Sequence, residues 1–437
     1  MRSTRRLLDR YSPVAIVLLS CVAGTVAFTG CSDAEPIQLD DDAGAPADLG
    51  DASVDASTPP EDAAPAETST TPDAAPLVLE TLPVECTSPT CVVALVTARD
   101  ESFCALLKDG TVACWGANGA GQLGRGETSA GSASAARVAG LTNVVTLGRT
   151  CAVDGSGEAW CWGMGPFLKG SNVTTEPTPV KLGLPPVKKV SAYERTACAV
   201  AEDGSVLCWG SNLTGQVAPG KAFAATPLHA PEARSVAAGA PIRDIAVNEA
   251  TFIVREDGTA ESWGANVLLA RASSLSPDPN PLTTSLGKIT SIDVVENHGC
   301  AAANGNAYCW GTDVGPDPRT VTAPEPIVQI ATTKTVYSGS TVVKPSRWCA
   351  VTPKGNVFCL GDNASGQAGD GTTDFAYRPV QVVGLPERAA QVRTTNDATC
   401  VLLTTGDVYC FGNNYYGQLG NGVMRRSSIV PVKVTLP

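Results

Sequence analysis

Between Leu141 and Gly183 the chain alternates apolar and polar positions in short runs broken by glycine and proline. LTNVVTLG (141–148), TCAVDGSGEAWCWG (150–163) and PTPVKLG (177–183) carry the two-residue period and β-branched content of antiparallel strands. The layout recurs seven times, each copy marked by a tripeptide ending in glycine. These are CWG at 114–116, 161–163, 208–210 and 309–311, SWG at 262–264, CLG at 359–361 and CFG at 410–412. The middle residue advances by 47, 47, 54, 47, 50 and 51 positions. Three or four short strands per unit at this period predict an all-β, seven-bladed β-propeller over residues 84–437.

The cysteines follow the same period. Twelve of the sixteen fall in pairs, Cys104/Cys114, Cys151/Cys161, Cys198/Cys208, Cys300/Cys309, Cys349/Cys359 and Cys400/Cys410. Five pairs are ten residues apart around Gly110, Gly157, Gly204, Gly355 or Gly406, which fits a three-residue hairpin loop ending in a left-handed glycine. Cys300 and Cys309 are nine apart around Asn304-Gly305, the favoured two-residue hairpin turn. Either way the two cysteines stand directly opposite, as a cross-strand disulfide requires. Unit four has Phe252 and Ser262 at these places, so both partners are missing together, and packing alone is expected to hold that blade. Two opposed cysteines per unit make half a zinc site, and only His229 and His298 are present, so disulfides of an exported protein are the reading taken. Cys86 and Cys91 would close a small loop at the domain entrance.

Residues 119–124 spell G-x-G-x-x-G, the fingerprint of a dinucleotide-binding turn. The repeat argues against a cofactor. Gly119 is replaced by Leu213, Ala364 and Tyr415 in other units, whereas Gly121-Gln122 returns as Gly215-Gln216, Gly366-Gln367 and Gly417-Gln418. No amphipathic helix follows, so the glycines are assigned to a repeated turn and no cofactor is expected.

The N-terminus differs from the repeats. Arg2, Arg5, Arg6 and Arg10 precede an apolar run, Val14–Phe28, which reads as a secretory signal peptide over 1–30. Gly30-Cys31 resembles a bacterial lipoprotein signal, with Phe28 where that pattern usually has leucine. The resemblance implies that Cys31 is lipidated and that the protein sits at the outer membrane or cell surface of a bacterium. Residues 32–76 hold twelve acidic and no basic residues among Ala, Pro, Ser and Thr. Residues 31–83 are therefore expected to form a disordered acidic tether, reaching about 40 Å or more. The tether and signal account for most of the formal charge of −12, leaving the repeats near neutral. That balance disfavours a nucleic-acid partner.

The motif C-A-x-x-x-D-G-x-V-x-C-W-G-x-N-x-x-G-Q-x-G resembles the regulator of chromosome condensation repeat family over about 350 residues, best in units one, three, six and seven. The resemblance implies a seven-bladed propeller. The family's eponymous members act on a nuclear GTPase and chromatin, a role not carried over to an exported chain. Secreted bacterial members include a type that inhibits β-lactamases by covering the active site with one propeller face. The sequence lacks G-x-S-x-G, HExxH and P-loop motifs. The expectation is a non-catalytic envelope module that binds another protein; a polysaccharide hydrolase or lyase is the alternative. The tryptophans before glycine are read as packing residues.

Hairpin length is nearly constant, while the connection from a third strand to the next unit's second strand varies from 37 to 44 residues. The variable end is therefore the candidate binding face. Its short turns are read to carry Arg99, Arg149, Tyr193, Arg195, His298, Arg347 and Trp348, charged and aromatic types favoured at interface anchors.

Overall fold

The hairpins adopt the turns that their residue types demand. In the computed structural model, which describes residues 79–169, 173–221 and 227–437, Gly110, Gly157, Gly204, Gly258, Gly355 and Gly406 have φ between 77° and 86°. The shorter turn has Asn304 at 50° and Gly305 at 79°, the two positive angles of a two-residue loop. Each turn sets its cysteines opposite one another in register, and all six pairs are bonded, as is Cys86–Cys91. Cys31, with the proposed signal and most of the tether, lies outside the described residues.

Seven four-stranded antiparallel sheets follow, six built from consecutive strands and the sixth blade interrupted by a separate two-stranded hairpin. Blade one comprises Val92–Thr97, Ser102–Leu107, Val112–Asn118 and Ser129–Arg137. The later blades begin at Val144, Val187, Ile242, Ile289, Gln329 and Ala389. From blade three round through blade seven to blade one, first strands of successive blades pack on one another and so line the axis. The ring closes without exchanging a strand. Leu95 N donates to Gln391 Oε1 at 3.0 Å, and the entering chain adds Glu85 N to Thr404 O and Val92 N to Gly406 O.

Neighbouring blades meet through one recurring contact. In six of the seven blades an aromatic shares a buried cluster with the cystine of the blade before it, and in blade five Trp310 clusters instead with Phe252. Trp162 packs with Cys104 and Cys114, Trp209 with Cys151 and Cys161, Trp263 with Cys198 and Cys208, and Phe411 with Cys349 and Cys359. Trp115 does the same with Cys400 and Cys410 across the closure. Five of these indoles then donate N–H to a loop carbonyl of the preceding blade, whereas Trp348 Nε1 has no partner among the described residues. Trp162 reaches Gln122 O at 2.9 Å, Trp263 reaches Gln216 O at 2.8 Å and Trp115 reaches Gln418 O at 2.9 Å.

This contact explains the Gly-Gln loop. Asn118 Oδ1 accepts from Leu123 N, and Gln122 Oε1 accepts from Ala120 N, which fixes the loop so that Gln122 O faces the next blade. Asn212/Gln216, Asn363/Gln367 and Asn414/Gln418 repeat both bonds. A Cβ on Gly121 would lie 2.9 Å from Pro177 Cα, and one on Gly124 would meet the Trp162 ring at 3.1 Å. Gly119 has nothing within 4 Å, as its replaceability implies.

Blade four departs from the expectation of packing alone. Phe252 packs against Trp310 with ring centroids 5.9 Å apart, and two buried ion pairs stand in for the missing cystine. Arg255 lies 2.7 Å from Glu261, and Arg271 lies 2.9 Å from Asp278. Arg271 also donates to Ser262 O and Asn280 O, and the Ser273 hydroxyl donates to Asp278. Burial opposes ionisation of Asp278, but Asn280 N–H, Ser273 and Arg271 outweigh it and hold the carboxyl below its usual range. A buried pair is no stronger than a good apolar contact, yet breaking one strands a charge. Asp278→Ala is therefore expected to lower the unfolding free energy by about 3–5 kcal/mol at pH 7. In urea titrations that deficit should shrink as pH falls through the depressed native pKa, because the wild-type carboxylate then loses its charge as well. A deficit below about 1 kcal/mol at pH 7 would show that Arg271 and Asp278 do not hold the blade.

Candidate functional site

Topology sends the first-to-second turns and the third-to-fourth loops to one end of the ring. Thr214 Oγ1 of such a loop donates to Glu249 O of such a turn at 2.8 Å. The hairpin turns and interblade linkers meet at the other end, where Val144 N donates to Gly110 O. At the mouth of the axis on the first end lies a cavity of about 340 Å³, lined among others by Arg99, Glu101, Arg149, Tyr193, Lys334 and Tyr416.

Its charges are tied to one another. Arg99 lies 3.5 Å from both Asp100 and Glu194, and Lys334 lies 2.6 Å from Glu296. The Arg149 guanidinium sits 5.2 Å above the Tyr193 ring and 3.7 Å from Asp293. Burial, only partly offset by Arg149, raises the Tyr193 hydroxyl. Glu101 is pushed up to about 7, first by burial and then by the charge of Asp397, although the Thr395 hydroxyl donates to it. A second cavity of about 320 Å³ opens beside the first, between the turns of blades three, four and five. Glu194, Arg195, Leu213, Asn248, Glu249 and Glu296 line it. Glu249 reaches solvent, yet partial desolvation and the charges of Glu296 and Glu194 raise its carboxyl.

Four of the seven expected face residues, Arg99, Arg149, Tyr193 and Arg195, line these cavities. The other three are buried and leave the candidate face. Arg347 is 2% exposed and donates to the carbonyls of Gln367, Thr395 and Ala398 and to Thr399 Oγ1, binding blade six to blade seven. Trp348, 3% exposed, pairs across the hairpin with Leu360 and packs on Cys300 and Cys309. It supplies from the second strand the ring that CLG lacks on the third. His298, 4% exposed, begins a strand rather than lying in a turn, and burial pushes its pKa down to about 4. His229, read as part of a connector, lies in the strand Leu228–Arg234.

Blade six departs from the expected pattern because its first-to-second connection is not short. It runs from Thr333 to Arg347 and contains a hairpin of Val336–Ser338 and Thr341–Lys344 that exposes Tyr337, Val342 and Val343. The alternation of TVYSGSTVV about Gly339 carried that signal. Two aromatic pairs on this end also escape sequence reasoning, Phe375/Tyr377 at 4.6 Å and Tyr415/Tyr416 at 4.8 Å.

The family model described as "Regulator of chromosome condensation (RCC1) repeat" matches residues 100–122, 187–216 and 390–418, and a second model of the same description matches 405–437. The chain is a seven-bladed propeller that carries matches to the regulator of chromosome condensation repeat in its first, third and seventh blades. Among similar proteins, the ultraviolet-B receptor UVR8 of Arabidopsis thaliana is 27% identical over 371 residues, covering 77% of this chain and 81% of the receptor. The human E3 ubiquitin-protein ligase HERC2 is 26% identical over 312 residues, but those are 67% of this chain and only 6% of the ligase. In fold, Prp20p of Saccharomyces cerevisiae matches with a TM-score of 0.60 at 17% identity, over 79% of this chain and 88% of that one. Human WBSCR16 matches with 0.59 at 17% identity, over 75% and 95%.

Among the described residues, one group of histidine, cysteine and carboxylate atoms lies within ligand distance, His298 with Cys300 and Cys309. Its sulfurs are joined in a disulfide, so it offers an imidazole but no thiolate. The repeat face is thus a rigid, polar and aromatic surface with a carboxyl that titrates near neutrality. A raised native pKa means that folding binds the Glu101 proton more tightly, so Glu101 costs stability as pH rises from about 4.5 towards 7. Glu101→Gln should therefore gain stability over the wild type across that interval in denaturant titrations at stepped pH. A constant difference from pH 4 to pH 8 would refute the burial of that charge.

Proposed function

We propose that this propeller is a non-catalytic binding module that engages a partner protein through the face carrying Tyr193, Tyr337 and Tyr416. It is held at a bacterial envelope by a lipidated Cys31 and the acidic tether of residues 31–83. The observation that carries the reading is the contrast between the two ends of the ring. One end has near-identical hairpin turns. The other carries cavities, exposed tyrosines, paired arginines and a hairpin that, among the described residues, blade six alone inserts. Exposed tyrosine and arginine on loops set by a rigid frame are the chemistry of protein recognition. Prp20p, of the same fold, has binding properties towards Gsp1p and histones, which supports protein recognition by such a propeller, while those partners stay with Prp20p. The basic, apolar and Gly30-Cys31 segments of the N-terminus support export and anchoring.

The test captures a partner from envelope extract with the intact protein and then measures its affinity for variants. Tyr193→Ala, Tyr337→Ala and Tyr416→Ala should each weaken binding by more than about 1 kcal/mol, roughly fivefold. Glu202→Ala and Lys354→Ala, at the hairpin-turn end, should be neutral. The reverse pattern would move the site to the other end. Cys31→Ser should abolish fatty-acid labelling and release the protein from membranes; equal labelling of both forms would rule out the anchor.

A further inference from the structure

The second cavity contains more than a cluster of acids. Glu194, Glu249 and Glu296 come from three successive blades and meet at its wall. Glu194 faces Arg99 and Glu296 faces Lys334, whereas Glu249 has no ion-pair partner among the described residues. The turn that holds Glu249 is fixed. Its carbonyl accepts from Thr214 Oγ1 at 2.8 Å and from Ala265 N at 3.0 Å, and its own N–H donates to Asn248 Oδ1 at 2.7 Å.

That last bond determines the orientation of the Asn248 amide. Flipping it would set NH2 against the Glu249 N–H, so Oδ1 faces the backbone and Nδ2 points elsewhere. Asn248 is 2% exposed, lines the cavity, and its Nδ2 donates to nothing among the described residues. Buried amide groups are rarely left without a partner. The cavity therefore offers one unfilled donor beside one unpaired carboxylate, with Leu213 as an apolar wall. The three carboxylates repel an anion, the free donor calls for a neutral acceptor, and Glu249 calls for a cation. A peptide segment bearing lysine or arginine supplies both, the acceptor from its backbone carbonyl and the cation at the end of an aliphatic stem.

We propose that this cavity is an anchor pocket for a basic side chain on the partner protein's docking loop. Glu249 pairs with the cation and Asn248 Nδ2 donates to a backbone carbonyl of the loop. This rests on the protein-binding reading above and names the partner's chemistry at one point of the face. Arg195 lines the same cavity without an ion pair among the described residues and is the internal competitor for Glu249.

The probe is acetyl-Gly-Arg-Gly-amide, titrated calorimetrically into the intact protein. It should saturate one site, and replacing arginine by the neutral isostere citrulline should weaken it by about tenfold or more. Glu249→Gln should do the same, while Arg195→Ala should tighten binding by roughly threefold by removing the competitor. Absence of binding, stronger binding of acetyl-Gly-Glu-Gly-amide, or an unchanged affinity in Glu249→Gln overturns the pocket. A silent arginine peptide alongside a partner lost through Tyr337→Ala, which lies outside this cavity, overturns the pocket alone. An arginine peptide bound as expected, with a partner indifferent to the tyrosines, supports the pocket and removes the wider face.

Discussion

An aromatic ring seated on the preceding blade's cross-link, with its N–H given to that blade's loop carbonyl, is the contact on which the ring depends. Each element of the repeat serves it. The hairpin turn sets two cysteines opposite each other, their cystine makes a flat buried floor, and the next blade's indole covers that floor. Burying an indole removes 150–250 Å² from water, about 4–6 kcal/mol of gross stabilisation per junction. The Asn and Gln side chains of the loop add nothing to that area. They orient one carbonyl so that the buried indole donor is satisfied.

A frame fixed in this way separates stability from recognition. The cross-links and rings lie within the blades and between them, so the loops at the first end can vary without disturbing the core. Blade six uses that freedom to insert a hairpin, and blades three, four and five use it to gather three carboxylates around a buried amide. The same separation explains how the ring tolerates substitution within the repeat. Blade four exchanges its cystine for Phe252 and two buried ion pairs, and blade six moves its indole from the third strand to Trp348 on the second.

Cysteine spacing was legible because turn chemistry is local: nine residues demand Asn-Gly, and ten demand a terminal glycine. The Gly-Gln loop was legible because it repeats. The destination of Arg347 and Trp348 was not, since charge and size favour a turn and only tertiary contacts decide otherwise. The Arg347 guanidinium is buried because carbonyls of two blades converge on it. The blade-four ion pairs were hidden for a similar reason. Arg255 and Glu261 flank a hairpin in the sequence, and it is the Ala237–Ala240 linker, bonded to both, that covers them. The four face residues that remain were legible through position alone, whereas the cavity at Asn248 depends on which amide atom the backbone occupies.

The interblade contact is tested most directly by removing one floor and watching the ring above it. Cys104→Ala/Cys114→Ala deletes the cystine of blade one, which Trp162 of blade two covers, while Trp115 of blade one rests on Cys400 and Cys410. Indole N–H hydrogen exchange resolves the two rings. If each ring rests on the preceding cystine, Trp162 exchange accelerates by about tenfold or more while Trp115 changes far less. Faster exchange at Trp115 with Trp162 unaltered would contradict this, because the cross-link would then serve its own blade and not the next.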